Sequence, residues 1–64
     1  MGVWLRTVGD EVDAEANIRQ DEAGYYVVDW YLNAVGLVKS EPFLKLADAR
    51  AWLEAGGFED YSVS

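Results

Sequence analysis

The sequence predicts an α+β fold, a three- to four-stranded antiparallel sheet with one helix packed on one face, in the order ββ(β)αβ. Residues 25–32 form a run of aromatic and β-branched side chains, which is typical of a central strand. Residues 46–55 are rich in strong helix formers, and Gly56-Gly57 follows them as a helix stop signal. With 64 residues in all, the chain is expected to form a single domain, 1–64.

The predicted central strand has two different faces, because side chains alternate along a strand. One face carries only large apolar side chains: Tyr26, Val28, Trp30 and Leu32. The other is aromatic but interrupted by a charge: Tyr25, Val27, Asp29 and Tyr31. A helix about 10 Å wide covers two or three strands about 4.8 Å apart, on one side only. We therefore expect the second face, joined by Trp4, to stay partly open, unless segment 10–22 folds back over it.

The flanking strands follow from alternation and turn signals. Residues 3–8 predict a first strand, and Gly9-Asp10 a turn. Val3, Leu5 and Thr7 lie on one face of this strand and Trp4, Arg6 and Val8 on the other, and either face could be the core side. Apolar residues at alternate positions from Val12 to Ile18 predict a second strand around residues 15–20. After a turn at residues 33–36, a strand over 37–40 is expected to end at Glu41-Pro42. A short last strand is predicted over residues 58–63.

The start of the helix is ambiguous in the sequence. Lys45 is a poor N-cap for a helix that begins at Leu46, whereas Ser40 would cap a helix beginning at Glu41. In either case Leu46, Ala49 and Leu53 lie on one apolar stripe. Small Ala49 would let the helix approach the sheet closely.

The amino-acid composition excludes several classes of function. The chain has no cysteine and no histidine, which excludes disulfides, Cys/His zinc sites and catalysis by Ser-His-Asp or Cys-His groups. The acidic run 10–15 lacks the ligand spacing of a calcium loop. We expect no enzyme activity, no metal and no cofactor. No segment approaches ~20 apolar residues, so no membrane partner is expected, and the lack of cysteine fits a cytoplasmic location.

The net charge of −7, from twelve acids and five bases, indicates the class of partner. Proteins that bind nucleic acid directly do so through basic patches, so direct binding is not expected here. An acidic domain is instead attracted to proteins with basic, nucleic-acid-binding surfaces. The alternative is that the acids only keep the domain soluble.

The candidate partner-binding residues are of two kinds. Acidic side chains would steer and pair with basic groups: Asp10, Glu11, Asp13, Glu15, Asp21, Glu22 and Asp29. Aromatic side chains would supply the desolvated contact: Trp4, Tyr25 and Tyr31. The same open aromatic face could alternatively be buried in a twofold homodimer, with the chain acting as a self-associating interaction protein.

From Gly24 onward the order is strand, Asn/Gly turn, strand, and then Phe43-x-x-Leu46-Ala47-Asp48-Ala49-x-x-Trp52-Leu53. This resembles the three-strand-plus-helix domains at the N-termini of phage integrases, where Phe-x-Thr-x-x-Glu-Ala precedes a helix packed on the sheet. Lys45 replaces the capping threonine, and the chain is acidic where the DNA-reading members are basic. The resemblance therefore implies the fold. In size, charge and architecture the chain is also similar to phage-encoded inhibitors, including anti-CRISPR proteins, which implies an inhibitor acting in the bacterial cytoplasm.

Overall fold

The computed structural model describes residues 2–61, and in it five strands form one antiparallel sheet with one helix against it. The elements are β1 (Val3–Val8), β2 (Glu11–Gln20), β3 (Tyr26–Leu32), β4 (Gly36–Phe43), α1 (Leu46–Ala55) and β5 (Glu59–Asp60). The spatial order of the strands is β4-β3-β2-β1-β5. The α+β class with one helix is confirmed, and the sheet has one strand more than the upper limit of the expected range.

The four long strands follow one another as antiparallel neighbours, and α1 carries the chain across the sheet. β4 lies at one edge and β5 at the other, where β5 pairs with β1. The chain between them must cross the whole width of the sheet, and α1 makes that crossing over one face. Only this face therefore receives a second layer from the described part of the chain.

The core lies between α1 and the sheet. Its buried residues come from both layers: Trp4, Ala14, Ala16, Ile18, Val28, Ala49, Leu53 and Phe58. Ala49 and Leu53 are fully buried, as their stripe on the helix predicts. The small alanines of β2 and α1 let the two layers approach, and larger residues such as Leu53 fill the remaining space. Burying a leucine of this kind stabilises the fold by about 1.5–3 kcal/mol.

The expectation that Trp4 joins the open face is wrong. Trp4 lies opposite Ala16 in the pairing of β1 with β2, and Ala16 lies opposite Trp30, so all three side chains share the helix face. Trp4 is only 2% exposed. Its large indole occupies the space that the small side chain of Ala16 leaves beneath the helix.

Several element boundaries differ from those expected. β2 begins at Glu11 rather than near residue 15. β4 continues through Pro42 to Phe43, because an edge strand needs no proline N–H on its outer side. The helix begins at Leu46, after Lys45, which makes no side-chain capping hydrogen bond. The predicted last strand is limited to Glu59–Asp60 in the structure, and its residues 62–63 lie outside the described residues.

Candidate functional site: the uncovered sheet face

The sheet face opposite α1 carries no second layer from residues 2–61, and we call it the uncovered face. Cross-strand pairing and alternation place these side chains on it: Val3, Leu5, Glu15, Asn17, Arg19, Val27, Asp29, Tyr31, Leu37, Ser40, Pro42, Glu59 and Tyr61. Segment 10–22 does not fold back over this face, because most of it is β2, a strand within the sheet. The expectation of a face left open by the single helix is therefore confirmed for the described chain.

One row of side chains crosses all five strands of this face. Its members, directly opposite one another on neighbouring strands, are Glu59, Leu5, Glu15, Tyr31 and Leu37. Because strands lie about 4.8 Å apart, the two glutamates of the row are separated by about 10 Å, with Leu5 between them. Carboxylate and apolar groups therefore alternate from Glu59 to Tyr31, and the apolar Leu37 ends the row.

The apolar side chains of the uncovered face differ in exposure. Leu37 is 58% exposed, whereas Leu5 and Tyr31 are half-buried by their neighbours in the sheet. Tyr25, just before β3, is 40% exposed. Val27 is buried even though it lies on this face. Val3 and Tyr61, at the β1–β5 side of the same face, are each 47% exposed.

Asp29 lies at the centre of the uncovered face and is only 9% exposed. Its carboxylate accepts a hydrogen bond from Arg19 Nε at 2.7 Å and another from the Ser40 hydroxyl. Burial raises the pKa of Asp29, but the hydrogen bonds from Ser40 and Arg19 outweigh it and hold the pKa below its usual value. These bonds tie β2, β3 and β4 together. Asp29 therefore has a structural role in the sheet, and its predicted contact with a partner stays a prediction.

Two other predicted acids also bond within the chain. The register of β1 and β2 shifts at Arg6, and the extra residue, Asp13, forms a two-point ion pair with the Arg6 guanidinium at 3.1 Å. Asp21 Oδ1 accepts the N–H groups of Ala23 and Tyr25 at 3.0 and 2.9 Å, which builds the turn before β3. Asp13 and Asp21 thus have structural tasks.

The remaining predicted acids are spread along β2. Asp10 and Glu11 lie at the turn from β1, Glu15 lies mid-strand, and Glu22 lies in the turn to β3. The ten residues of β2 span about 30 Å at roughly 3.3 Å per residue. The structure therefore places these carboxylates in a line from one end of the sheet to the other, and does not gather them at one point.

Ion pairing explains where the net charge resides. Four of the five bases pair with acids: Arg6 with Asp13, Arg19 with Asp29, Lys39 with Glu41, and Arg50 with Asp60. Within residues 2–61, eight acids have no basic partner: Asp10, Glu11, Glu15, Asp21, Glu22, Asp48, Glu54 and Glu59. The negative charges of these eight carboxylates and the positive charge of the remaining base, Lys45, add up to the whole net charge of −7.

Sequence reasoning did not place several members of the uncovered face there, among them Leu5, Leu37, Glu59 and Tyr61. Leu5 follows from placing Trp4 in the core, because neighbouring residues of a strand face opposite sides. Glu59 and Tyr61 are two residues apart, and the Tyr61 hydroxyl donates to the Glu59 carboxylate at 3.0 Å, which raises the pKa of Tyr61. The pairing of β5 with β1, which brings them to this face, has no local signal in the sequence.

No protein-family model, curated protein or solved structure matches this chain. The resemblance to integrase domains and to phage-encoded inhibitors therefore stays a prediction. Among residues 2–61 no helix has the length and apolarity needed to cross a membrane. Over the same residues, no three acidic side chains are grouped closely enough to hold a metal ion.

Proposed function

We propose that this protein is a small acidic, non-enzymatic binding protein that docks its uncovered face on a basic, nucleic-acid-binding surface of another protein. By occupying that surface it would keep nucleic acid away, as an inhibitor of the anti-CRISPR-like, phage-encoded kind acting in the host cytoplasm. One observation supports this proposal above the others. The uncovered face presents Glu15 and Glu59, neither with a basic partner in the described chain, in one row with Leu5 and Tyr31.

The chemistry of this row fits a basic protein surface. Carboxylates without basic partners attract lysine and arginine and raise the rate of encounter. Apolar groups beside these carboxylates, Leu5 and Tyr31, supply the contact area from which water is excluded. A partner that normally binds phosphates offers basic groups with apolar stems, which can contact both kinds of side chain.

The area of the uncovered face favours an interface that also includes the turns at the two ends of β2. The 33 residues of the five strands, at about 3.3 Å along a strand and about 4.8 Å between strands, cover about 520 Å². A stable interface buries about 800 Å² on each partner. The acidic turns at the ends of β2, with Asp10 and Glu11 at one end and Glu22 at the other, would supply the remaining area and further negative charge.

Self-association through the uncovered face is the alternative, and the charges disfavour it. A second copy would bring two pairs of carboxylates, Glu15 and Glu59 from each chain, into one interface. Arg19, the base on this face, is already paired with Asp29. The free edge of β4 also carries features that hinder strand pairing between copies, namely Lys39, Pro42 and the extra residue Val38. Light scattering that finds a dimer at micromolar concentration would favour this alternative.

A charge-matched comparison tests the proposal. Wild type, the double variant Glu15→Gln/Glu59→Gln and the double variant Asp48→Asn/Glu54→Gln are each immobilised and exposed to bacterial lysate. Both variants remove two negative charges, but the second removes them from α1, on the other side of the sheet.

We expect wild type and the helix variant to retain the same nucleic-acid-binding proteins, which added salt and duplex DNA release. The sheet-face variant should bind them about tenfold more weakly. Equal losses of binding in both variants would show that net charge alone, and not the uncovered face, determines binding. Retained proteins that bind no nucleic acid, or binding indifferent to salt, would contradict the proposal.

A further inference from the structure

One arginine of this chain contacts a carboxylate and an aromatic ring at the same time. Arg6 forms the two-point ion pair with Asp13, and its guanidinium carbon lies 5.3 Å from the centre of the Phe58 ring. Both contacts suit a guanidinium, because its planar fork matches a carboxylate and its face packs on a ring. The ammonium group of lysine is more compact and more strongly hydrated, so it gains less from the ring. A carboxylate beside an aromatic ring therefore favours arginine over lysine.

Arg50 repeats this arrangement in other surroundings. Its Nη1 lies 3.1 Å from the carboxylate of Asp60, and its guanidinium carbon lies 5.1 Å from the centre of the Trp4 ring. Arg50 belongs to α1, whereas Arg6 belongs to β1, so the arrangement does not depend on one type of backbone. In both examples the arginine, the carboxylate and the ring come from the chain itself.

The uncovered face carries a similar pair of side chains without an arginine. Glu15 and Tyr31 lie directly opposite one another on β2 and β3, a position in which Cβ atoms are about 5 Å apart. Glu15 is exposed, Tyr31 is half-buried, and no base of the described chain pairs with Glu15. The arginines of the chain all have acidic partners elsewhere: Arg6, Arg19 and Arg50. An arginine for this pair must therefore come from another molecule.

A second such pair lies at the β5 edge of the same face. Glu59 and Tyr61 are two residues apart, and the Tyr61 hydroxyl donates to the Glu59 carboxylate at 3.0 Å. This hydrogen bond uses one of about four lone-pair positions of the carboxylate and holds the ring beside it. The Tyr61 side chain is 47% exposed, and among residues 2–61 no base pairs with Glu59. Both the carboxylate and the ring are thus accessible to a guanidinium.

We infer that these two pairs, Glu15 with Tyr31 and Glu59 with Tyr61, are arginine-binding sites for side chains of the partner protein. The inference rests on the function proposed above and specifies the basic side chain that the uncovered face binds. The two glutamates lie about 10 Å apart across the sheet, which is the length of about two helical turns. Leu5, between them, contacts the apolar stems of the bound arginines. The partner therefore presents two arginines at this spacing.

NMR titration of the ¹⁵N-labelled full chain with two peptides tests this inference. The peptides have the same length and charge and differ only in carrying arginine or lysine. The arginine peptide should bind about tenfold more tightly, with amide shifts at Glu15, Tyr31, Glu59 and Tyr61. The lysine peptide should shift the same region at higher concentration, because the attraction between opposite charges remains.

Two outcomes of this titration separate the inference from the proposed function. Equal affinities of the two peptides at the uncovered face would overturn the inference and leave the proposed function standing. Shifts of equal size on the helix and on the sheet, with either peptide, would contradict both.

Variants of the two tyrosines separate the rings from the charge. Tyr31→Leu/Tyr61→Leu removes both rings and keeps every carboxylate, so the arginine peptide should fall to the affinity of the lysine peptide. The matched control Tyr31→Phe/Tyr61→Phe keeps both rings and should keep a preference of at least about fivefold.

Tyr61→Leu alone keeps the test valid if the double variant does not fold, because it alters an exposed side chain outside the core. Its preference for the arginine peptide should fall about threefold. An unchanged preference in this variant would overturn the inference.

Discussion

The two faces of this sheet are stabilised in different ways. The helix face buries large apolar side chains such as Trp4, Val28 and Leu53 in a second layer. The uncovered face has no such layer from residues 2–61 and satisfies its central carboxylate, Asp29, with hydrogen bonds inside the sheet. The comparison indicates that apolar packing is confined to one face, whereas the other carries two carboxylates, Glu15 and Glu59, that have no basic partner in the described chain.

The largest loss of stability is expected for a variant on the helix face. Leu53→Ala removes a fully buried side chain of α1 from the core and should lower the free energy of unfolding by about 2–5 kcal/mol. A domain this small has about 3–5 kcal/mol in total, so the variant should be largely unfolded. Urea denaturation followed by circular dichroism measures this loss.

Leu37→Ala is the matched control for that variant, because the same side chain is removed from the uncovered face at a position that is 58% exposed. Its free energy of unfolding should stay within about 0.5 kcal/mol of wild type. Similar losses of unfolding free energy in the two variants would contradict the claim that the two faces are stabilised differently.

An intermediate effect is expected at Asp29. Asp29→Asn weakens the hydrogen bonds that join β2, β3 and β4, and should cost about 1–3 kcal/mol at neutral pH. The folded state lowers the pKa of Asp29, so this stabilisation is complete above the unfolded value of about 3.9 and is lost as the pH falls through the folded value.

Denaturation at a series of pH values measures how the stabilisation by Asp29 depends on pH. The difference between wild type and Asp29→Asn should be constant from pH 7 down to about pH 5 and should shrink in more acidic solution. A difference that grows on acidification would contradict the assigned role.

The smallest effect is expected for the unpaired acids of the uncovered face. Glu15→Gln/Glu59→Gln removes charge without removing an ion pair, and the free energy of unfolding should change by no more than about 0.5 kcal/mol. The change should be stabilising, because a net charge of −7 opposes compaction. A loss above about 1 kcal/mol in urea denaturation would show that these carboxylates hold the fold together.

Much of the fold could be predicted from strong local patterns. The two faces of β3 follow from alternation in residues 25–32, and the end of α1 follows from Gly56-Gly57. The error at Trp4 has a physical cause, since both faces of β1 are of similar apolarity. The choice between them depends on Ala16, a small residue of the neighbouring strand, and therefore on register.

The candidate site was predicted less completely, because it depends on contacts between distant residues. Neighbouring side chains across the sheet determine whether an acidic side chain already has a hydrogen-bond or ion-pair partner within the chain. Asp13 is engaged by Arg6 only because the register shifts at that point, and Asp29 is engaged from both sides by Arg19 and Ser40. Glu59 reaches the uncovered face only because α1 crosses the sheet. None of these juxtapositions has a local signature.

NMR titration of the ¹⁵N-labelled chain with an arginine-rich peptide tests the central claim most directly, because acids without basic partners lie on both sides of the molecule. The account predicts that the shifts concentrate at Leu5, Glu15, Tyr31 and Glu59, that they spare Asp48 and Glu54 on α1, and that they disappear in Glu15→Gln/Glu59→Gln. Shifts of equal size on the helix and on the sheet would contradict it, because the peptide would then be responding to overall charge and to no particular face.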